Sequence, residues 1–267
     1  MCTSFVYQGS HTCIGMNFDI SDRRIKLVCQ KDGQLLVMQE DGGQFYPALG
    51  INKNGTFMNL QMVEPSEEGK YRRGKNCVHI MKLFADVLGE KLALTDVFTY
   101  VDQHAIVNVP GHSVHSLIAG MGQACVVEPG KKALGSAAIA DEPFMVLTNF
   151  SLFARGEQEN GQSEAMGADR YRVARERLLA VQEPFEPAAA FSILRETAQH
   201  GGAFPTQLSL VAVAEEGVVY FTLRADFAKV LRFSFHDRLI QTESGFTWHR
   251  QLPLTNRGVL ISELAGW

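Results

Sequence analysis

The chain has 267 residues, 46% of them hydrophobic and 20% charged, a balance that supports a large core and excludes an intrinsically disordered protein. Its formal net charge of −4 supplies no overall basic field, so neither nucleic acid nor an anionic membrane surface is an expected partner. No apolar run approaches the roughly 18 residues of a membrane span, and no basic-then-apolar leader precedes Asp19, so the expectation is a cytoplasmic protein folded as one domain over 1–267.

In chain order, residues 3–8 and 12–16 read as two strands around "QGSH", and 24–30 with 34–39 as a hairpin through "KDGQ". "ALGINKNGTFMNLQMV" at 48–63 places Asn54-Gly55 at a second hairpin turn, and the charged stretch 64–76 reads as a loop. Val78, Met81, Phe84, Ala85 and Leu88 recur at helical spacing ahead of Gly89, which predicts a helix over 77–88; another is expected from Thr95 to about His104. "SVHSLIAG" and "QACVVEPG" form a hairpin around Gly120–Gly122, and "PFMVLTNF" at 143–150 a buried strand ending in Thr148-Asn149.

Residues 154–164 read as a polar surface loop. Tyr171, Ala174, Leu178 and Val181 then mark one face of a helix over 164–182, and Pro187 opens another that runs to about Gln199. "TQLSLVAVAEEGVVYFTLR", "KVLRFSF" and "GVLISEL" return to strand, with Glu215-Glu216-Gly217 as a turn. Blocks of strands separated by helix pairs are not the regular alternation of a parallel sheet, and an α+β protein of antiparallel sheets and packed helices is expected.

Five cysteines, Cys2, Cys13, Cys29, Cys77 and Cys125, are scattered without a CxxC pair, which speaks against a disulfide framework and against a zinc site. Cys2 stands apart because it follows Met1 and is small enough for that methionine to be trimmed. The freed residue would carry a thiol, with a reference pKa of about 8.5, beside an α-amine of about 8, so nucleophile and base would share one residue. Taken alone, Cys2 is more simply an incidental cysteine at a frayed end.

The pattern around it changes that weighting. "MCTSF", "GMNFD", "VLTNF" and "ADRYRVARERL", in that order, resemble the N-terminal-nucleophile hydrolases of the choloylglycine hydrolase and penicillin V acylase type, with features of relatives that process isopenicillin N. The resemblance implies a four-layer αββα sandwich of two antiparallel sheets flanked by helix pairs. It also implies hydrolysis of a linear, non-peptide amide of an N-acylated small molecule through a thioester on Cys2, with no cofactor and no metal. The alternatives it leaves are an acyltransferase and a binding protein that has lost turnover; a homo-oligomer is compatible with each.

Carried over by position, Cys2 matches the nucleophile, Asp19 the carboxylate that orients its amine, Asn149 the amide donor to the oxyanion, and Arg170 the guanidinium beside the nucleophile. Asn59 matches the second oxyanion contact, with Gln61 competing for the place. Without the resemblance, Asp19 would read as a turn residue, Asn149 as a strand-end cap and Arg170 as part of a solvated helix face with Arg172, Arg175 and Arg177. One departure is Met16, where the bile-salt and penicillin V enzymes usually carry arginine. His112 and His115 have HxxH spacing, but on a loop-to-strand segment such residues point to opposite sides. The basic stretch at 70–75 reads as a solvated loop, with a lip over a substrate entrance as the minority reading. Phe5, Phe18, Phe57, Phe144 and Phe150 are candidates for an acyl pocket, against ordinary core packing.

Overall fold

The computed structural model describes residues 1–135, 142–154 and 165–267. The strands of its first half are β1 (Thr3–Gln8), β2 (Thr12–Asp19), β3 (Ile25–Cys29), β4 (Gln34–Asp41), β5 (Gln44–Asn52), β6 (Phe57–Asn59), β7 (Gln61–Met62), β8 (Cys77–His79), β9 (Ala105–Val107), β10 (Val114–Gly120), β11 (Gln123–Val127) and β12 (Ala133–Gly135). β13 (Phe144–Leu147), β14 (Thr206–Val213), β15 (Val218–Leu223), β16 (Val230–Ser234), β17 (Leu239–Ser244), β18 (Gln251–Pro253) and β19 (Val259–Leu260) follow. Among the described residues the helices are α1 (Ile80–Leu88), α2 (Val97–Gln103), α3 (Ala168–Leu179), α4 (Pro187–Glu196) and the short α5 (Ile261–Leu264).

Among the described residues, sheet I has the order β13-β1-β2-β14-β15-β16-β17-β18 and sheet II the order β12-β11-β10-β6-β5-β4-β3-β19. Neighbouring strands in both are antiparallel. The side-chain period of two divides each strand between two cores. In β1 and β2, Val6, Ile14, Met16 and Phe18 point to sheet II, where they meet Leu35, Leu49, Ile51 and Phe57. Phe5, Tyr7 and Cys13 point the other way, onto Ala174, Leu178, Ala190 and Leu194 of α3 and α4. Beneath sheet II, Met58, Ile118 and Cys125 pack on Ile80, Leu83, Phe84, Val87 and Val101 of α1 and α2. Three apolar interfaces therefore join four layers in the order αββα. Central strands such as β2 and β14 are buried at every position, which explains their nearly unbroken apolar character.

The expected elements are present with shifted boundaries, and the strands β9, β12, β17 and β18 had no counterpart in the reading from sequence. Cys77–His79 is strand, pairing parallel with Ala105–Val107, so the helix expected over 77–88 begins at Ile80, after His79 in an extended conformation. The expected 95–104 helix opens with a 3-10 turn, Leu94–Asp96, before α2. β2 continues to Asp19 rather than stopping at 16, because β14 pairs with it along its whole length. "GVLISEL" is strand only at Val259–Leu260; Ile261 and Leu264, spaced three apart, then turn helical to bury both side chains. Pro187 occupies the start of α4 as expected. The loop expected at 154–164 lies, past Ala154, outside the described residues.

Gly15 controls how closely helices and sheet meet behind the amino terminus. It pairs with Phe5, and a Cβ there would lie 2.3 Å from the Phe5 ring, which is itself fully buried. Gly15→Ala should therefore force the ring off its place and lower unfolding free energy by about 1–3 kcal/mol in urea titration. A change below about 0.5 kcal/mol, the usual effect of a surface substitution, would contradict this packing.

Candidate active site

Strand register assembles the site. Ser4 pairs with Leu147 and Thr3 with Asn17; continuing both registers toward the amino terminus sets Asn149 beside Cys2 and Asp19 beside Met1. The hydrogen bonds follow that alignment. Cys2 N–H donates to Asn149 Oδ1 at 2.7 Å, and the Met1 amine donates to the Asp19 carbonyl at 2.7 Å. Cys2 Sγ lies 3.8 Å from that same carbonyl, and the residue is buried in the interface between the sheets.

Arg170 reaches the site from the first turn of α3. Its Nη1 donates to the Cys2 carbonyl at 2.5 Å and to Thr3 Oγ1 at 2.9 Å, and its Nη2 to Asn149 Oδ1 at 3.0 Å. Asp19 Oδ2 is 3.8 Å away. The solvated helix face belongs instead to Arg172 and Arg177, which are exposed, while Arg175 pairs with Glu142. Gly167 makes the approach possible: it has φ 83°, and a Cβ on it would stand 2.6 Å from Arg170 Nη2. Only glycine takes up that conformation and leaves that space at little cost.

Asp19 is held from the far side of sheet I. Thr206, its register partner on β14, donates to Oδ1 at 2.6 Å, and Gln199, just past α4, donates to Oδ2 at 2.9 Å. Burial pushes the Asp19 carboxyl above its ordinary pKa, against the stabilising pull of Thr206, Gln199 and Arg170. Asn17, the other polar residue of "GMNFD", ties β2 to the end of α4 by donating to the Leu194 carbonyl at 2.8 Å. Thr206 and Gln199 carried no signal in the sequence, since each acquires its role from residues remote along the chain, whereas Thr3 lay within the "MCTSF" motif without a role being read for it.

Asn149 is fully oriented. Its Oδ1 accepts from Cys2 and Arg170, and its Nδ2 donates one hydrogen to the Met62 carbonyl at 2.7 Å, leaving the second N–H of the amide without a partner among the described residues. Asn59 and Gln61 sit together across the interface. Asn59 Nδ2 donates to Ser4 Oγ at 3.0 Å and Gln61 Oε1 at 2.7 Å, its Oδ1 accepts from Leu117 N–H, and Ser4 donates to Gln61 Oε1. Both are completely buried, and their hydrogen bonds run to Ser4 rather than to Cys2. Met16, at the position of the usual arginine, lies in the inter-sheet core with its sulfur 3.4 Å from Asn59 Nδ2.

The remaining candidates separate. Phe5 and Phe144 belong to the helix-side core and Phe18 and Phe57 to the inter-sheet core, with Phe150 at its margin against Tyr171; they do not line one acyl pocket. His112 is exposed and His115 buried, so the HxxH pair does not share a site. Residues 70–75 are exposed, in keeping with a solvated loop. No described helix is long and apolar enough to cross a membrane. A cleft of about 270 Å³ lined by Leu223, Arg224, Lys229 and Phe246 opens at the same end of the sandwich. Phe18 pairs with Leu208 and Leu208 with Leu223, so this cleft lies some three strand spacings, about 14 Å, from Cys2.

This four-layer sandwich of two antiparallel sheets between helix pairs, with Cys2 leading into an interior strand, is a fold shared with solved structures. Among solved structures, the chain superposes on the C2A mutant of conjugated bile acid hydrolase from Clostridium perfringens with a TM-score of 0.66 at 16% identity, covering 96% of this chain and 98% of that one. Penicillin V acylase from Agrobacterium tumefaciens gives a TM-score of 0.66 at 16% identity, over 97% and 100% of the two chains. The N-acylethanolamine-hydrolyzing acid amidase ortholog of Caenorhabditis elegans gives 0.50 at 16%, over 80% and 93%. No protein-family model matches the chain, and no curated protein matches it in sequence.

With Met1 in place, burial is the main influence on the Cys2 thiol and pushes its pKa up to about 11, although the terminal ammonium and Arg170 pull it down. Thiolate is the reactive form, so at neutral pH this thiol is protonated and quiet. In a chain that retains Met1, alkylation by iodoacetamide, followed on the peptide carrying residue 2, should keep rising with pH toward about 11. A plateau at about pH 8.5, the ordinary thiol value, would contradict the burial argument.

Proposed function

We propose that the chain is an amidase that hydrolyses a linear, non-peptide amide of an N-acylated small molecule, with Cys2 as nucleophile once Met1 has been removed. The observation that carries this reading is the convergence at Cys2 of Asn149 and Arg170, both remote in sequence, with Asp19 of the neighbouring strand paired to Arg170. The names of the neighbours, a conjugated bile acid hydrolase and a penicillin V acylase, support the same reaction class.

In this scheme loss of Met1 places a free α-amine where the Cys2 N–H now donates to Asn149 Oδ1. The neutral amine takes the thiol proton, and the thiolate attacks the amide carbonyl carbon. The carbonyl oxygen becomes an oxyanion, to which the unused N–H of Asn149 donates. The second donor is Asn59 turned away from Ser4, or a backbone N–H. The new ammonium then protonates the leaving nitrogen, the C–N bond breaks, and a thioester remains on Cys2. Water, deprotonated by the same amine, attacks the thioester carbonyl; the acid departs and the proton returns to sulfur. Arg170 and Asp19 act by holding the Cys2 backbone and the new amine in register. The cleft about 14 Å away is within reach of the distal part of an extended substrate.

An amine attacking in place of water would make the chain an acyltransferase. A non-catalytic binding role is favoured by one observation, the buried Met16 where a cation usually stands. The test is a panel of N-acyl amino acids, bile conjugates, penicillins and acyl homoserine lactones, assayed with the natural chain and with Cys2→Ala. Hydrolysis of at least one amide is expected, falling by a factor on the order of 10⁴ or more in Cys2→Ala. Equal activity in that variant would reject the mechanism, and an inert natural chain that still binds panel members would favour the binding role.

A further inference from the structure

His115, set aside as a metal ligand, has a different place in the molecule. It is completely buried on β10, opposite Gln61 of β7. Its Nε2 lies 2.6 Å from the Thr148 carbonyl. A carbonyl only accepts, so the proton must be on Nε2. The other ring nitrogen, Nδ1, faces Glu128 Oε2 at 3.7 Å, and among the described residues neither atom has a hydrogen-bond partner. Glu128 is itself buried, at 4% exposure. The ring is thus oriented through Nε2–H by the Thr148 carbonyl, and Glu128 borders its other edge without a hydrogen bond to it.

The Thr148 carbonyl also accepts from Gln61 Nε2 at 3.2 Å, so its two lone pairs are both occupied. That carbonyl belongs to the peptide group joining Thr148 to Asn149. Fixing it fixes the orientation from which the Asn149 side chain reaches Cys2 N and Arg170. We infer that His115 is a positioning residue that holds the Thr148–Asn149 peptide and thereby aims the Asn149 amide at the oxyanion site. The inference rests on the reading of Asn149 given under Proposed function, and it assigns a role to a buried histidine which that mechanism does not use.

The test has a kinetic and a geometric arm. His115→Ala should lower kcat by about 10- to 100-fold with KM nearly unchanged, because substrate binding is not what the ring serves. His115→Gln, whose amide nitrogen can replace Nε2–H, should restore most of the loss. Removing the ring alone strands Glu128, so the double variant His115→Leu with Glu128→Leu, which deletes both polar groups at similar volume, should fold with near-natural melting temperature and still lack kcat. Crystal structures of the Ala and Gln variants supply the second arm: the separation of Asn149 Oδ1 from Cys2 N, 2.7 Å here, should lengthen in the first and hold in the second. Unchanged kcat in the double variant, or an Asn149 that stays in place without the ring, would overturn the proposal. If the natural chain hydrolyses no amide, the functional reading fails and the geometric arm alone decides the positioning role.

Discussion

The buried guanidinium of Arg170 is the constraint around which the amino-terminal end of the sandwich is organised. A cation taken out of water must be surrounded by compensating groups, and here these are the Cys2 carbonyl, Thr3 Oγ1, Asn149 Oδ1 and the Asp19 carboxylate. Four positions on β1, β2 and the end of β13 are thereby drawn to one point. The same bonds that satisfy the charge deny the first residues of the chain the freedom usual at a terminus. Gly167 belongs to this arrangement because a side chain on it would occupy the space of the guanidinium.

A second layer of polar groups supports the first. Thr206 and Gln199 hold Asp19 from the helix side of sheet I, while Gln61 and His115 hold the Thr148 carbonyl from sheet II. Between the sheets, Ser4, Asn59 and Gln61 bond to one another in an otherwise apolar interface. Buried polar groups that are mutually satisfied set a single arrangement rather than a family of similar ones. Cys2 is thus held between strands rather than by loops, the precise positioning that the proposed nucleophile requires.

Much of this was legible in the amino-acid sequence wherever the cause was local. Asn54-Gly55 marked a hairpin and Pro187 the first residue of α4; of the apolar spacing Val78, Met81, Phe84, Ala85 and Leu88 taken for the core face of α1, Phe84 and Leu88 lie on that face, whereas Ala85 is exposed and Val78 precedes the helix. Cys77–His79 was not legible as strand because its partner, Ala105–Val107, lies beyond the whole of α1 and α2. The site divides in the same way. Cys2, Asp19, Asn149 and Arg170 stood out through the order of four short motifs, and the fold brings them within bonding distance. Thr206 has no motif; it acquires its role only when β14 pairs with β2, 187 residues from Asp19. His115 drew notice for its spacing from His112, yet its partners, Thr148 and Glu128, depend on the pairing of β10 with its neighbours. Asn59 was marked by position alone, and its bonds run to Ser4.

Met1 connects the geometry to reactivity. While it remains, its amine is seated on the Asp19 carbonyl and the Cys2 thiol is pushed up to about 11; its removal would put a titrating amine on the same residue as the sulfur. The central claim is that this pairing performs acyl transfer, and the most direct measurement is intact-protein mass spectrometry of acid-quenched turnover mixtures, with the modified peptide sequenced. The account predicts a chain lacking Met1 that carries a single acyl group on the Cys2 sulfur. A hydrolytically active chain that retains Met1, or one acylated elsewhere, would contradict it.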